Sequence, residues 1–227
     1  MSAFDRVTAA WGDLVYMDEA RAAFLRELVR AQNLAEVLEL GFAHGKSSAY
    51  IAAILEDEGR GHLTTIDLEA VTARTPAIGE VLAAVGLTHR VTPILAARSY
   101  TWELSKLLRR APRPQFDLCY FDGGHTWDQT GFGFLLTDML LRPGGWIVFD
   151  DLNWTINRSL AARGLAPEEG YKGYSADEKE ARGVRMVFDL LVPHLGYVNA
   201  REEKRFRWGV AQKPARRGLR RWWRGME

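Results

Sequence analysis

Residues 39–48 read Glu39-Leu40-Gly41-Phe42-Ala43-His44-Gly45-Lys46-Ser47-Ser48. They follow the apolar run 36–40, which suits a short strand, and lead into residues 47–55, whose apolar positions fall at helical spacing. The stretch is therefore a strand, a glycine turn and a helix start. Gly41 and Gly45 let backbone come close to a ligand, and Ser47 or Ser48 can cap the helix or hydrogen-bond. Two glycines alone describe a tight strand-to-helix connection equally well, so the residues further along decide. Residues 63–66 form a second strand that ends at Asp67, where a carboxylate can accept both hydroxyls of a ribose.

Working outward, Asp18 caps a helix through Ala22, Leu25, Leu28 and Val29. Helical spacing also marks 76–85, the region 100–108, 127–141 and 176–191, while 91–95, 116–121 and 146–149 have strand character. The run Phe116-Asp117-Leu118-Cys119-Tyr120-Phe121 is nearly continuous in apolar residues, as a strand covered on both faces requires. The helix at 127–141 is expected to stop at the turn Pro143-Gly144-Gly145. Residues 196–199 and 205–211 suit a closing antiparallel pair. The implied fold is α/β: a doubly wound, mostly parallel sheet with helices on both faces and right-handed crossovers. In such sheets ligands sit at the carboxyl ends of the strands. Gly41, Asp67, Asp122 and Asp150-Asp151 all stand at those ends and should gather along one edge.

The chain has 227 residues, 47 % hydrophobic and 26 % charged, a balance that excludes disordered, collagen-like and disulfide-dense proteins. A net charge of +1 gives no global reason for a polyanion partner. Cys119 is the single cysteine, so no intrachain disulfide and no cysteine zinc site can form, and a buried inert thiol is expected. With no signal-peptide pattern and no long apolar window, the expectation is a cytoplasmic protein. Three regions are anticipated: a segment 1–17 acting as a lid or dimer contact, a main domain 18–212 with a lid-like insertion at about 152–176, and a basic tail 213–227. In the tail Leu219, Trp222, Trp223 and Met226 follow the spacing of one helical face. Docking on the domain or a second subunit, disorder, an anionic membrane surface and nucleic acid are the readings open to it. Trp154, Tyr171 and Tyr174 in the insertion suit a lid over an aromatic or glycosidic acceptor.

Gly45-Lys46-Ser47 looks like the end of a phosphate-binding loop, but that motif needs glycine at position 40, where Leu40 stands. The residues instead resemble the class I S-adenosylmethionine-dependent methyltransferases, with an acid-x-Gly-x-Gly-x-Gly loop after the first strand and a ribose-binding acid after the second. Glu39, Gly41, Gly45 and Asp67 match, and Ala43 replaces the middle glycine. The resemblance spans roughly 15–211 and implies a seven-stranded sheet. It also implies that Glu39, Gly41, Phe42, Ala43, Gly45, Ser47 and Ser48 serve the methionine part of S-adenosylmethionine. Asp67 with Leu68 would serve the ribose, the segment with Arg98 and Ser99 the adenine, and Asp122 would border the cofactor.

Asp122, Asp150 and Asp151 resemble the divalent-metal site of the catechol-type and sugar-modifying O-methyltransferases. Carboxylates about 4 Å apart repel by roughly 4 kcal/mol at an effective dielectric near 20, so three converging acids favour a cation, and Mg²⁺ suits an all-oxygen site. A capping role for these acids is the alternative. His125 stands where the catechol-type enzymes place a lysine near the reacting oxygen. An imidazole can accept a hydroxyl proton at neutral pH, although helix capping or support of the site from behind is also open to it. The expected activity is metal-assisted methyl transfer to a hydroxyl of a small aromatic or glycosidic acceptor, with Asp122 and His125 doing the chemistry. A homodimer and peripheral membrane contact through the tail are further expectations, nucleic acid is disfavoured, and the alternative class is a non-catalytic binding module on the same fold.

Overall fold

In the computed structural model, which describes residues 1–215, seven strands form one sheet in the order β3-β2-β1-β4-β5-β7-β6. They are β1 (Glu36–Leu40), β2 (His62–Leu68), β3 (Val91–Ala96), β4 (Phe116–Phe121), β5 (Leu141–Phe149), β6 (Val198–Glu203) and β7 (Trp208–Gln212). β1 to β5 run parallel, and β7 is antiparallel to both β5 and β6. The strand order reverses between β1 and β4, which places the crevice of the fold above those two strands.

Alternation along the strands builds two cores, one on each face of the sheet. Leu118 and Tyr120 of β4 point to one face and Cys119 and Phe121 to the other, which is why that run is apolar throughout. The first core is covered by α1 (Ala3–Trp11), α2 (Glu19–Gln32), α3 (Lys46–Asp57) and α4 (Ile78–Ala84). The second lies under α5 (Tyr100–Leu108), α6 (Trp127–Leu140) and the C-terminal helical segments. Cys119 is fully buried, and burial pushes its thiol pKa up, as an inert thiol requires.

The N-terminal segment holds a helix that the spacing in 1–17 did not announce. Ser2 caps α1 in a capping box with Asp5, Phe4 and Val7 are buried, and the amides of Ala3 and Phe4 donate to Asp57 at 2.7 and 3.1 Å. Residues 12–17 then run on to the glycine loop, where the Lys46 ammonium bonds the carbonyls of Gly12 and Leu14.

Three expected elements differ in detail. α6 stops at Leu140, and Pro143-Gly144-Gly145 lies inside β5 as a bulge, because Phe116 and Leu118 of β4 pair with Leu141 and Trp146. The polar stretch 153–175 carries its own helix, α7 (Ile156–Ala162), capped by Thr155 and anchored by the buried Ile156 and Leu160. The helix expected at 176–191 is divided into α8 (Ala176–Glu180), α9 (Gly183–Met186) and a π-helical segment Val187–Leu191 that runs into α10 (Val192–His194). A side chain at Gly183 would meet His125 O and Trp127 N at 2.6 Å, so the chain bends there to fit against the turn before α6.

Lys213 is buried against the end of α6, its ammonium bonded to the carbonyls of Asp138 and Leu141. The helical face predicted from Leu219 to Met226 lies outside the described residues. No helix among the described residues is long and apolar enough to cross a membrane.

Trp208 is fully buried between Phe24, Tyr120 and Phe206, with ring centroids 5.8, 5.5 and 5.2 Å away. Trp208→Ala should lower unfolding stability by about 3–5 kcal/mol, or roughly 10 °C in the thermal midpoint. A shift under about 2 °C in a calorimetric scan would contradict this account of the core.

Candidate active site

The glycine loop sits where it does because three strand ends are tied together. Gly41 N donates to Ile66 O at 2.8 Å, and Asp122 N donates to Leu40 O at 2.8 Å. Gly41 has φ +87°, and a Cβ there would lie 2.1 Å from Asp122 O, so only glycine fits between the loop and the turn after β4. Asp67 closes the arrangement: one carboxylate oxygen accepts the amides of Phe42 and Ala43, both at 2.8 Å, and the other accepts Leu68 N at 2.7 Å. Ala43 has φ +49°, a left-handed conformation at the position where the family motif carries glycine.

A cavity of about 850 Å³ opens above this edge. Gly41, Phe42, Ala43, Ser47, Asp67, Leu68, Arg98, Ser99, Asp122, His125, Asp150 and Asp151 all line it, so most of the predicted site shares one space. Glu39, Gly45 and Ser48 do not line it. Glu39 lies fully buried beneath the loop, accepting hydrogen bonds from Ser48 Oγ and, at 2.6 Å, from Thr65 Oγ1, while its other oxygen has no partner. Burial pushes its pKa up to about 7 against the opposing effect of the Ser47, Ser48 and Thr65 hydroxyls. Gly45 serves packing: its φ is +89°, and a Cβ would fall 2.5 Å from the Ile78 side chain of α4.

The acidic end gathers Asp122, Asp150 and Asp151 with His125. Asp122, His125 and Asp151 each offer an atom within 4.8 Å of the others. Asp150 stands beside them but is otherwise engaged, accepting Tyr120 OH at 2.5 Å and Asp151 N at 2.6 Å. All three expected aspartates thus share the cavity, and His125 joins two of them. Tyr120 is a site residue the sequence reading missed, because a tyrosine in a buried strand reads as core. Burial and then the charges of Asp150 and Asp151 push Asp122 well above the usual carboxylate range. Burial and then Asp151 raise Asp150 as well. Burial lowers the His125 pKa, against the pull of Asp151 3.9 Å away, which favours the neutral imidazole. Its ring packs on Trp154 at 5.1 Å. Asp151 holds φ +56°, a strained backbone at the centre of the cluster.

Tyr16 and Met17, from the segment expected to act as a lid or dimer contact, also line the cavity, as do Arg21, Lys46 and Arg74, which were not anticipated as site residues. Only tertiary packing of residues 12–17 on the loop brings the N-terminal members there. Tyr171 lines the cavity from the insertion, whereas Trp154 and Tyr174 face a second, smaller one.

A family model described as a methyltransferase domain matches residues 38–152. No curated protein sequence matches the chain. Among solved structures, the O-methyltransferase TomG from Streptomyces achromogenes, involved in tomaymycin synthesis and in complex with S-adenosylmethionine, aligns with a TM-score of 0.63 at 19 % identity over 94 % of this chain and 90 % of that one. The O-methyltransferase from Bacillus cereus, in complex with S-adenosylhomocysteine, aligns with a TM-score of 0.63 at 18 % identity, over 93 % of this chain and 90 % of that one. MycE of the mycinamycin biosynthetic pathway, in complex with Mg, S-adenosylhomocysteine and mycinamycin VI, has a TM-score of 0.59 at 14 % identity, over 95 % of this chain but 56 % of its own. These likenesses establish the fold. The chain belongs to the family described as a methyltransferase domain, and it shares the fold of these structures solved with S-adenosylmethionine or S-adenosylhomocysteine.

Two substitutions test the loop. Glu39 in the folded protein holds its proton up to about pH 7, whereas unfolded it ionises near 4.5, so folding stability should fall as pH rises between those values. Glu39→Gln should therefore unfold at a higher temperature than the parent at pH 8, by of the order of 1–3 kcal/mol, with the gain vanishing near pH 4.5. A gain that grows toward low pH would contradict the buried neutral acid. Ala43→Gly relieves a left-handed alanine at the cost of a more flexible unfolded chain, so thermal unfolding should show a net gain of about 0.5–1 kcal/mol.

Proposed function

We propose that the protein moves the methyl group of S-adenosylmethionine to a hydroxyl oxygen of a small aromatic or glycosidic acceptor, assisted by a divalent cation. The observation that carries this reading is the convergence of Asp122, His125 and Asp151 in the same cavity as the Gly41–Asp67 edge. The donor set fits a hard cation. Burial and mutual repulsion raise Asp122 and Asp150, a cost that a nearby positive charge would remove. Asp122 and Asp151 would hold the cation. The magnesium in the MycE complex supports this reading.

Bound S-adenosylmethionine supplies an electrophilic methyl on a sulfonium, and a bound dication supplies positive charge that favours the ionised acceptor oxygen. The chain's own groups do the rest. The Gly41 to Ser47 backbone and Asp67 position the cofactor; carboxylate oxygens keep lone pairs after accepting the loop amides and can still receive ribose hydroxyls. Arg98 and Ser99 wall the end expected to hold adenine. His125, its pKa lowered by burial, would take the hydroxyl proton, with S-adenosylhomocysteine as the product left behind, and the Tyr120 hydroxyl orients Asp150 beside the cluster. A second reading has one specific observation in its favour: the His125 ring nitrogen lies close enough to both carboxylates to act as a third ligand.

Calorimetry with S-adenosylhomocysteine and with Mg²⁺, beside turnover of labelled S-adenosylmethionine on a panel of catechols and glycosides, tests both readings. Asp151→Asn should weaken metal binding at least about tenfold and cut turnover about 100-fold or more. His125→Gln should cut turnover by about 10²–10⁴ and flatten its rise with pH, leaving metal affinity intact. Metal affinity lost in His125→Gln would make the histidine a ligand. Full turnover in chelator would overturn the metal role.

A further inference from the structure

A second cavity, of about 150 Å³, lies beside the active site. Trp127, Trp154 and Tyr174 give it aromatic walls, and Asp128, Asp177 and Glu178 surround them. Thr126 lines both cavities. A row of rings also leads from one to the other: His125 to Trp154 at 5.1 Å, Trp154 to Tyr171 at 6.2 Å and Tyr171 to Tyr174 at 5.7 Å. Gly183, which also lines this cavity, lets the backbone come close to the His125–Trp127 turn.

The charge balance here is one-sided. No Lys, Arg or His lines the cavity, and among the described residues none of its three carboxylates is in an ion pair. Their hydrogen-bond donors are neutral: Thr126 Oγ1 at 2.6 Å and Tyr174 OH at 3.2 Å on Asp128, and Ser175 Oγ at 2.6 Å and N at 2.8 Å on Glu178. Against the opposing effect of burial, such bonds hold Asp128 below the usual carboxylate range, and Ser175 lowers Asp177 and Glu178. All three are therefore held toward the ionised form at neutral pH, and among the described residues no cationic side chain pairs with them. Aromatic faces and carboxylates together attract a soft organic cation, which gains from the ring quadrupoles and from the negative charge at once. A neutral group gains only the apolar contact, and an anion is repelled. The volume is below that of pockets that enclose a whole drug-sized molecule, roughly 300–1,000 Å³, and suits a single head group.

We propose that this cavity binds a protonated or quaternary amine and selects acceptors that carry one. That the amine belongs to the acceptor rests on the O-methyl-transfer reading above; the affinity for an organic cation does not.

The test is ligand-observed NMR on the full chain at fixed ionic strength, titrating choline and its neutral isostere 3,3-dimethylbutan-1-ol and following saturation transfer to the methyl signals. Choline should bind at millimolar concentration and the neutral alcohol about tenfold more weakly. Asp128→Asn combined with Asp177→Asn should weaken choline about tenfold, and the single Asp177→Asn, at an exposed position, about threefold should the pair fail to fold. Equal binding of the two probes, or undiminished choline binding in the variants, would overturn the cation site. Calorimetry with S-adenosylhomocysteine on the same sample separates the two claims. Choline binding as expected without S-adenosylhomocysteine binding removes the acceptor assignment and leaves the cation site. The converse removes the cation site and leaves methyl transfer.

Discussion

The backbone of Gly41 passes so close to the carbonyl of Asp122 that even a methyl group could not be inserted between them, and much of the site follows from that contact. It holds the turn after β4 against the loop after β1 at the point where the strand order reverses. Asp67 then reaches the loop amides from the third strand end. These are short backbone bonds inside a covered sheet, so the geometry of the edge is set before any ligand arrives. A loop held this way has little left to reorganise on binding, which is what preorganised catalysis asks of a scaffold.

The same closeness creates an electrostatic cost. Asp122, Asp150 and Asp151 stand together in a partly covered site, and Glu39 is buried behind them without a countercharge. Burial opposes ionisation of Asp122, Asp150 and Glu39, and like charges nearby add to it. The structure relieves this only in part, through the Tyr120 hydroxyl on Asp150 and the Ser48 and Thr65 hydroxyls on Glu39. A fold that keeps unrelieved acids at the mouth of a cavity invites positive charge there, from a cation or from a sulfonium. The aromatic cavity beside it repeats the theme more weakly, with carboxylates met only by neutral donors.

Much of this was legible in the chain because the signals were local. β1 and β4 coincide with the apolar runs that announced them, α5 with its helical spacing, and Asp18 caps α2 as its position suggested. Acids at successive strand ends had to meet once the sheet was parallel. What escaped was either a weak local signal or none. The capping box of Ser2 and Asp5 and the apolar Phe4 and Val7 were present but short. The bulge in β5 looked like a turn because Pro-Gly-Gly serves both purposes. The break near Gly183 has only the glycine itself as a mark, and a lone glycine does not say what backbone it must pass.

The sequence by itself determined the alternation of elements, the glycine loop and the acids at the strand ends, because spacing and residue type are properties of neighbours along the chain. Only the tertiary structure decided which of those acids face one another. It turned Asp150 to Tyr120 and His125 to Asp122 and Asp151, placed Glu39 behind the wall, and brought Tyr16 and Arg21 to the cavity. Those choices depend on side-chain direction and on contacts across tens of residues, where a rotation about one bond separates a ligand from a support.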